Sequence, residues 1–84
     1  MKYVVHLKPR ALRDLRGLDR STSRRIYRAL EKLRDDLSGD VKRLTDFTLE
    51  YRLRVGSYRV LFEIEGSTHV VVYRILHRRD AYRR

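Results

Sequence analysis

The stretch Glu50-Tyr51-Arg52-Leu53-Arg54-Val55-Gly56-Ser57-Tyr58-Arg59-Val60-Leu61-Phe62-Glu63-Ile64-Glu65 decides the fold. Apolar and polar residues alternate along it with period two, and the Gly56-Ser57 pair marks a tight turn in its middle. Alternation puts Arg52 and Arg54 on the face opposite Tyr51, Leu53 and Val55. Arg59 alternates in the same way with Tyr58, Val60, Phe62 and Ile64. A second turn signal, Gly66-Ser67-Thr68, precedes a third strand from His69 to Leu76. The chain then closes on His77-Arg78-Arg79-Asp80-Ala81-Tyr82-Arg83-Arg84. A rigid sheet with arginines on one face is suited to phosphate groups.

Upstream of this hairpin the pattern changes. Tyr3 to Leu7 is short and rich in β-branched and aromatic residues, which predicts a strand. Pro9 suits the first turn of a helix, where its missing N–H is no loss. Leu12, Leu15 and Leu18 give that helix an apolar stripe, and Gly17 near its end can adopt positive φ there. Ser21 offers an N-cap for a longer helix. Ile26, Leu30, Leu33 and Leu37 recur at spacings of 4, 3 and 4 residues along it, one helical face. Tyr27 flanks that face, while Arg24, Arg25, Arg28, Lys32 and Arg34 point elsewhere. Ser38-Gly39-Asp40 ends the helix. Val41 to Phe47 reads as a loop, with Leu44 plugging the core. The predicted order is β-α-α-β-β-β, an α+β fold with two helices packed on a small, mainly antiparallel sheet. Residues 1–84 form a single domain with no linker or internal repeat.

Composition bounds the function. The chain has 84 residues, no cysteine, 21 basic and 11 acidic residues, and a formal net charge of +10. Disulfides and thiolate metal sites are therefore excluded. Of the basic residues 17 are Arg and four are Lys. Arg grips phosphate with a two-pronged fork and stacks on bases, which Lys does less well. A solubility charge is the bland competitor. No apolar run approaches the roughly 18 residues that span a membrane. The apolar N-terminal run stops at Lys8-Pro9-Arg10, too short for a signal peptide. A cytosolic protein without membrane contact is expected.

The remaining chemistry is narrow. His6, His69 and His77 are scattered, and the acidic residues fall mainly on the helices and their loops, so no metal or cofactor is expected. Gly-rich phosphate loops and nucleophile turns are missing too. What remains is Arg52, Arg54, Arg59, His77, Arg78, Arg79 and Tyr82. Such a set is suited to cleaving RNA, which carries its own 2′-hydroxyl nucleophile. The protein need only move protons and stabilise a dianionic phosphorane. Each residue also has a plainer reading. Arg52 and Arg54 could be a solvated strand face, and Arg59 could pair with Glu50 or Glu63 across the hairpin. His77 could be a structural hydrogen-bonding residue, and Tyr82 could belong to a frayed tail.

The strings Val41-Lys-Arg-Leu44, Tyr51-Arg-Leu-Arg-Val-Gly-Ser-Tyr-Arg-Val-Leu61 and His77-Arg-Arg-Asp-Ala-Tyr-Arg83 resemble the RelE/ParE superfamily of bacterial toxins. Lys8-Pro9-Arg10-Ala11-Leu12 and Leu15-x-x-Leu18 fit as well, so the resemblance spans essentially the whole chain. It implies the RelE fold, a cognate antitoxin encoded alongside, and, for RelE-like members, metal-independent cleavage of mRNA in the ribosomal A site. Carried over, the functional positions fall at Arg52 and Arg54 on the first hairpin strand, at Arg59 for the scissile phosphate, at Arg78 after the last strand, and at Tyr82 for stacking or proton transfer. His77 inherits an acid/base role beside Arg78. Some members carry Lys at the first two positions, one of them a candidate base. Arginine holds its proton too firmly for that, so here Arg52 and Arg54 act electrostatically or another group is the base. Two other readings stay open: a ParE-like toxin that binds DNA gyrase without a nuclease site, and a plain nucleic-acid-binding module.

Overall fold

The computed structural model describes residues 2–44 and 50–81. Its elements run β1 (Val4–Leu7), α1 (Pro9–Arg16), α2 (Arg20–Asp36), β2 (Asp40–Arg43), β3 (Glu50–Val55), β4 (Tyr58–Glu65) and β5 (His69–His77). The strands form one five-stranded sheet in the order β1-β5-β4-β3-β2. Only the β1–β5 pair is parallel; β2–β3, β3–β4 and β4–β5 are antiparallel. Two helices on a mainly antiparallel sheet is the α+β arrangement expected from the sequence.

The core lies between the helices and one sheet face. Ala11 and Leu15 of α1 and Ile26, Leu30 and Leu33 of α2 pack on Leu53, Val55, Val60, Phe62, Val70, Val72 and Ile75. The strand residues in that set follow the period-two pattern, and the helix residues follow the 3–4 spacing. Phe62 is fully buried and stacks on its neighbour Tyr51, ring centroids 5.5 Å apart. Truncating it to Ala costs about 3–5 kcal/mol.

Several local expectations are corrected. Val41 to Phe47 does not begin as a loop, because Asp40–Arg43 is an edge strand paired with β3. Residues 45–47 of that stretch lie outside the described residues. Leu44 is half-buried and stands apart from the core cluster; its N–H donates to the Glu50 carbonyl at 2.8 Å. The cap of α2 is Asp19, not Ser21: the Asp19 carboxylate accepts from the Thr22 N–H at 3.2 Å. Hydrogen bonding from the Thr22 side chain, then from its N–H, holds the Asp19 pKa below its ordinary value of 3.8. Gly17 sits at φ −81, in the right-handed region, so positive φ is not why glycine is there.

One long-range contact fixes α1 on the sheet. β1 stops pairing at Leu7↔Val72, and no further strand among the described residues pairs with the rest of β5 on that side. Asp14 of α1 covers the gap. Its carboxylate accepts from the Ile75 N–H at 2.9 Å and takes both Nε and Nη2 of Arg74, at 2.8 and 3.2 Å. This raises the Arg74 pKa above its ordinary value. The contact sits at a register shift, where Leu61 pairs Arg74 but Phe62 pairs Val72, leaving Tyr73 as the extra residue. A bulge of this kind frees backbone groups that need partners. Asp14 supplies one.

Candidate nucleic-acid interface

The β3–β4 connection is a two-residue loop, Gly56-Ser57, with Gly56 at φ 59. Positive φ at the first loop residue matches the natural twist of a hairpin and favours glycine. This tight loop fixes the register, so Val55 faces Tyr58 and Arg54 faces Arg59. On the face away from the helices two rows result. One runs Asp40–Arg54–Arg59–Leu76 and the next Lys42–Arg52–Leu61–Arg74. The arginines therefore converge at the end of the sheet where β3 finishes, β4 begins and β5 runs out.

Their surroundings differ. The Arg52 side chain is only 13% exposed; its Nη1 donates to the Asp40 carbonyl at 3.1 Å and to Asp40 Oδ1 at 3.3 Å. Arg54 is exposed and its Nε lies 3.6 Å from Asp40 Oδ2. Arg59 Nη1 donates to the carbonyls of Gly56 at 3.1 Å and Tyr58 at 3.0 Å. Among the described residues Arg59 meets no carboxylate. Its cross-strand neighbour is Arg54, while Glu50 faces Glu63. A hairpin ion pair therefore does not account for Arg59. Backbone carbonyls orient its guanidinium, and no carboxylate among the described residues offsets its charge.

His77 stands at the same end of the sheet but on the other face, opposite Tyr58. The two rings meet edge-on, centroids 5.4 Å apart at 80°. His77 Nδ1 accepts from the Arg79 N–H at 3.3 Å, so in the neutral ring the proton lies on Nε2. Arg78 follows directly and is exposed; its N–H donates to the Ser57 carbonyl at 2.7 Å. That bond ties the C-terminal turn to the β3–β4 loop. Arg79 is exposed as well. Tyr82 lies outside the described residues. The structure thus gathers Arg52, Arg54 and Arg59 on one face, with His77 and Arg78 around the edge.

The sequence reading missed Asp40 as a member of this site, assigning it to the turn that ends α2. It is the counter-ion of both Arg52 and Arg54. The signal was its place three residues after Leu37 at the start of an edge strand, legible only once β2 pairs with β3. Among the described residues no three His, Asp or Glu side chains converge as metal ligands. No helix among them is long and apolar enough to cross a membrane.

With this geometry in hand, the relatives of the chain are informative. Residues 5–82 match the family model of the ParE toxin of type II toxin-antitoxin systems, parDE. Toxin RelE3 of Methanocaldococcus jannaschii is 32% identical over 76 residues, covering 84% of this chain and 85% of the relative. Among solved structures, the toxin of the RelBE2 toxin-antitoxin complex from Mycobacterium tuberculosis superposes with a TM-score of 0.79 at 28% identity, over 93% of this chain and 100% of that one. The RelB-RelE antitoxin-toxin complex from Methanococcus jannaschii gives a TM-score of 0.76 at 27% identity, over 92% and 94% of the two chains. The chain belongs to the RelE/ParE superfamily of type II toxins and is RelE-like. The resemblance read from the hairpin and the C-terminal string is the family found, and the fold is the one it implied.

Proposed function

We propose that this toxin is a ribosome-dependent, metal-independent endoribonuclease that cuts mRNA in the A site. The observation that carries the reading is Arg59, a guanidinium oriented by two backbone carbonyls, without a carboxylate partner among the described residues and set directly opposite Arg54. Preorganised donors of this kind stabilise charge that develops in a transition state. In the proposed step the 2′-hydroxyl attacks the adjacent phosphorus, and Arg54 and Arg59 hold the dianionic phosphorane. Arg52 adds field from below, and Arg78 from the edge. The leaving 5′ oxygen takes a proton, so the products are a 2′,3′-cyclic phosphate and a 5′-hydroxyl. His77 and Tyr82 are the proposed proton-transfer groups, one taking the 2′-hydroxyl proton and the other protonating the leaving 5′ oxygen.

Arriving phosphate would compete with Asp40 for Arg52 and Arg54. Those contacts are long and partly wet, so displacing the carboxylate is cheap. The competing reading, gyrase binding without chemistry, follows from the ParE description of the family model; it gives no role to the Arg54–Arg59 pair. End-group analysis of cleaved mRNA tests the proposal. A 5′-hydroxyl terminus supports it, and a 5′-phosphate overturns it.

A cognate antitoxin is the second partner we infer, since the RelE-type neighbours were solved as complexes with RelB. Tyr27 and Val4 are large apolar residues left 49% and 47% exposed. Tyr27 borders a groove of about 200 Å³, lined also by Val5, Leu7, Leu30, Glu31 and Arg34. An amphipathic antitoxin segment that folds on binding fits such a surface.

A further inference from the structure

Along α2, Arg20, Arg24, Arg28 and Lys32 follow one another at i,i+4, with Arg25 beside them. Like charges at that spacing oppose helix formation. None of the five has a carboxylate partner among the described residues. Where this ridge meets the sheet, Arg25, Arg28, Lys32 and Arg54 surround a cavity of about 300 Å³, floored by Ala29 and Val55. Asp40 on its rim is already engaged by Arg52 and Arg54. Arg25 lies close against the hairpin loop: a Cβ on Gly56 would lie 2.8 Å from its Nη1. The same Gly56 offers its carbonyl to Arg59. The cavity and the arginine face therefore share Arg54 and one loop.

We propose that this cavity is a second phosphate subsite, taking a phosphodiester group of the RNA strand next to the one held by Arg54 and Arg59. This rests on the nuclease reading, because it needs an RNA strand crossing that face. Three cations without a carboxylate partner among the described residues, and a fourth shared with the arginine face, converge on one concavity. Guanidinium forks match phosphate oxygens, and an apolar floor favours a nucleotide over a bare anion. An RNA strand entering here is anchored beside the phosphate to be cut, which positions the scissile bond.

The test uses binding without chemistry. A short, labelled 2′-O-methyl oligoribonucleotide presents the phosphates but no 2′-hydroxyl nucleophile, so the result is independent of whether the toxin cleaves. Fluorescence anisotropy is measured across a salt series for the wild type, for Arg25→Gln/Arg28→Gln, and for Arg10→Gln/Arg13→Gln on α1. All four positions are exposed, and circular dichroism checks that each variant folds. The cavity variant should bind about tenfold more weakly, with a log–log salt slope shallower by about 0.7, the value for one phosphate contact on a single strand. The α1 variant should change affinity less than about twofold, since it removes only distant charge. Equal losses in both variants overturn the subsite. So does displacement of the RNA by a polyglutamate peptide as readily as by unlabelled RNA, which would mark an acidic-protein surface. AMP alone should shift the Gly56 amide resonance only weakly; binding as tight as the oligonucleotide's would mark a free-nucleotide site and overturn the assignment to an RNA strand.

Discussion

Arg54 and Arg59 stand directly opposite one another across the β3–β4 hairpin. Facing like charges destabilise a sheet by a few tenths to about 1 kcal/mol. Asp40 offsets part of this for Arg54, at 3.6 Å, and nothing among the described residues does so for Arg59. On the proposed nuclease reading, the phosphate of the RNA is the anion that would offset this repulsion.

Arg54→Thr should therefore separate stability from activity. The variant removes the repulsion and places a β-branched residue in a strand. It should melt at or slightly above the wild-type temperature while losing most toxicity. A variant that melts lower and stays fully toxic would show the pair to be structural.

Arg59→Ala should lower the cleavage rate by about 10² or more, by analogy with removing an oxyanion donor, and leave the circular dichroism spectrum unchanged. Arg59→Lys should be impaired as well, because an ammonium lacks the guanidinium fork. An unfolded Arg59→Ala, or one cleaving at the wild-type rate, rules out the assigned role.

Asp14 makes the opposite prediction. It takes three hydrogen bonds from Arg74 and Ile75 and so ties α1 to β5. Asp14→Ala strands a partly buried guanidinium and a backbone N–H, which costs about 2–3 kcal/mol. Urea denaturation should show that loss. Specific activity of the folded fraction should be unchanged, and a selective loss of activity would contradict the structural role.

These contrasts follow what was legible in the sequence. The Gly56-Ser57 turn fixes the hairpin register, so the Arg54–Arg59 pairing is implicit in a two-residue loop. The helix stripes were legible because Ile26, Leu30 and Leu33 repeat at helical spacing. β2 was hidden because Asp40-Val41-Lys42-Arg43 is a short, polar edge strand with one apolar residue, the composition that also marks loops. With β2 unseen, Asp40 had no reason to face the arginines. Asp14 was invisible for another reason: its partners lie 60 and 61 residues away, and no local pattern encodes a bulge at Tyr73. Asp19 and Ser21 are both good N-caps by type, and only the backbone decides between them.

Asp19 carries a pH dependence. Folding lowers its pKa below 3.8 through the bonds to Thr22. The stabilisation from this cap is therefore fully present above pH 3.8 and is lost as pH falls through the lower folded-state value. Asp19→Ala should reduce the melting temperature at neutral pH, and the gap between variant and wild type should narrow toward pH 3. A gap that widens on acidification would contradict the cap.

The most direct measurement of the central claim is primer extension on mRNA in a reconstituted translation reaction, with wild-type toxin and with Arg59→Ala. The account predicts breaks inside codons positioned in the A site. They should appear only when ribosomes are present and vanish with Arg59→Ala. Intact mRNA under these conditions, together with inhibition of DNA gyrase supercoiling by the same preparation, would contradict it and establish the gyrase-binding reading instead.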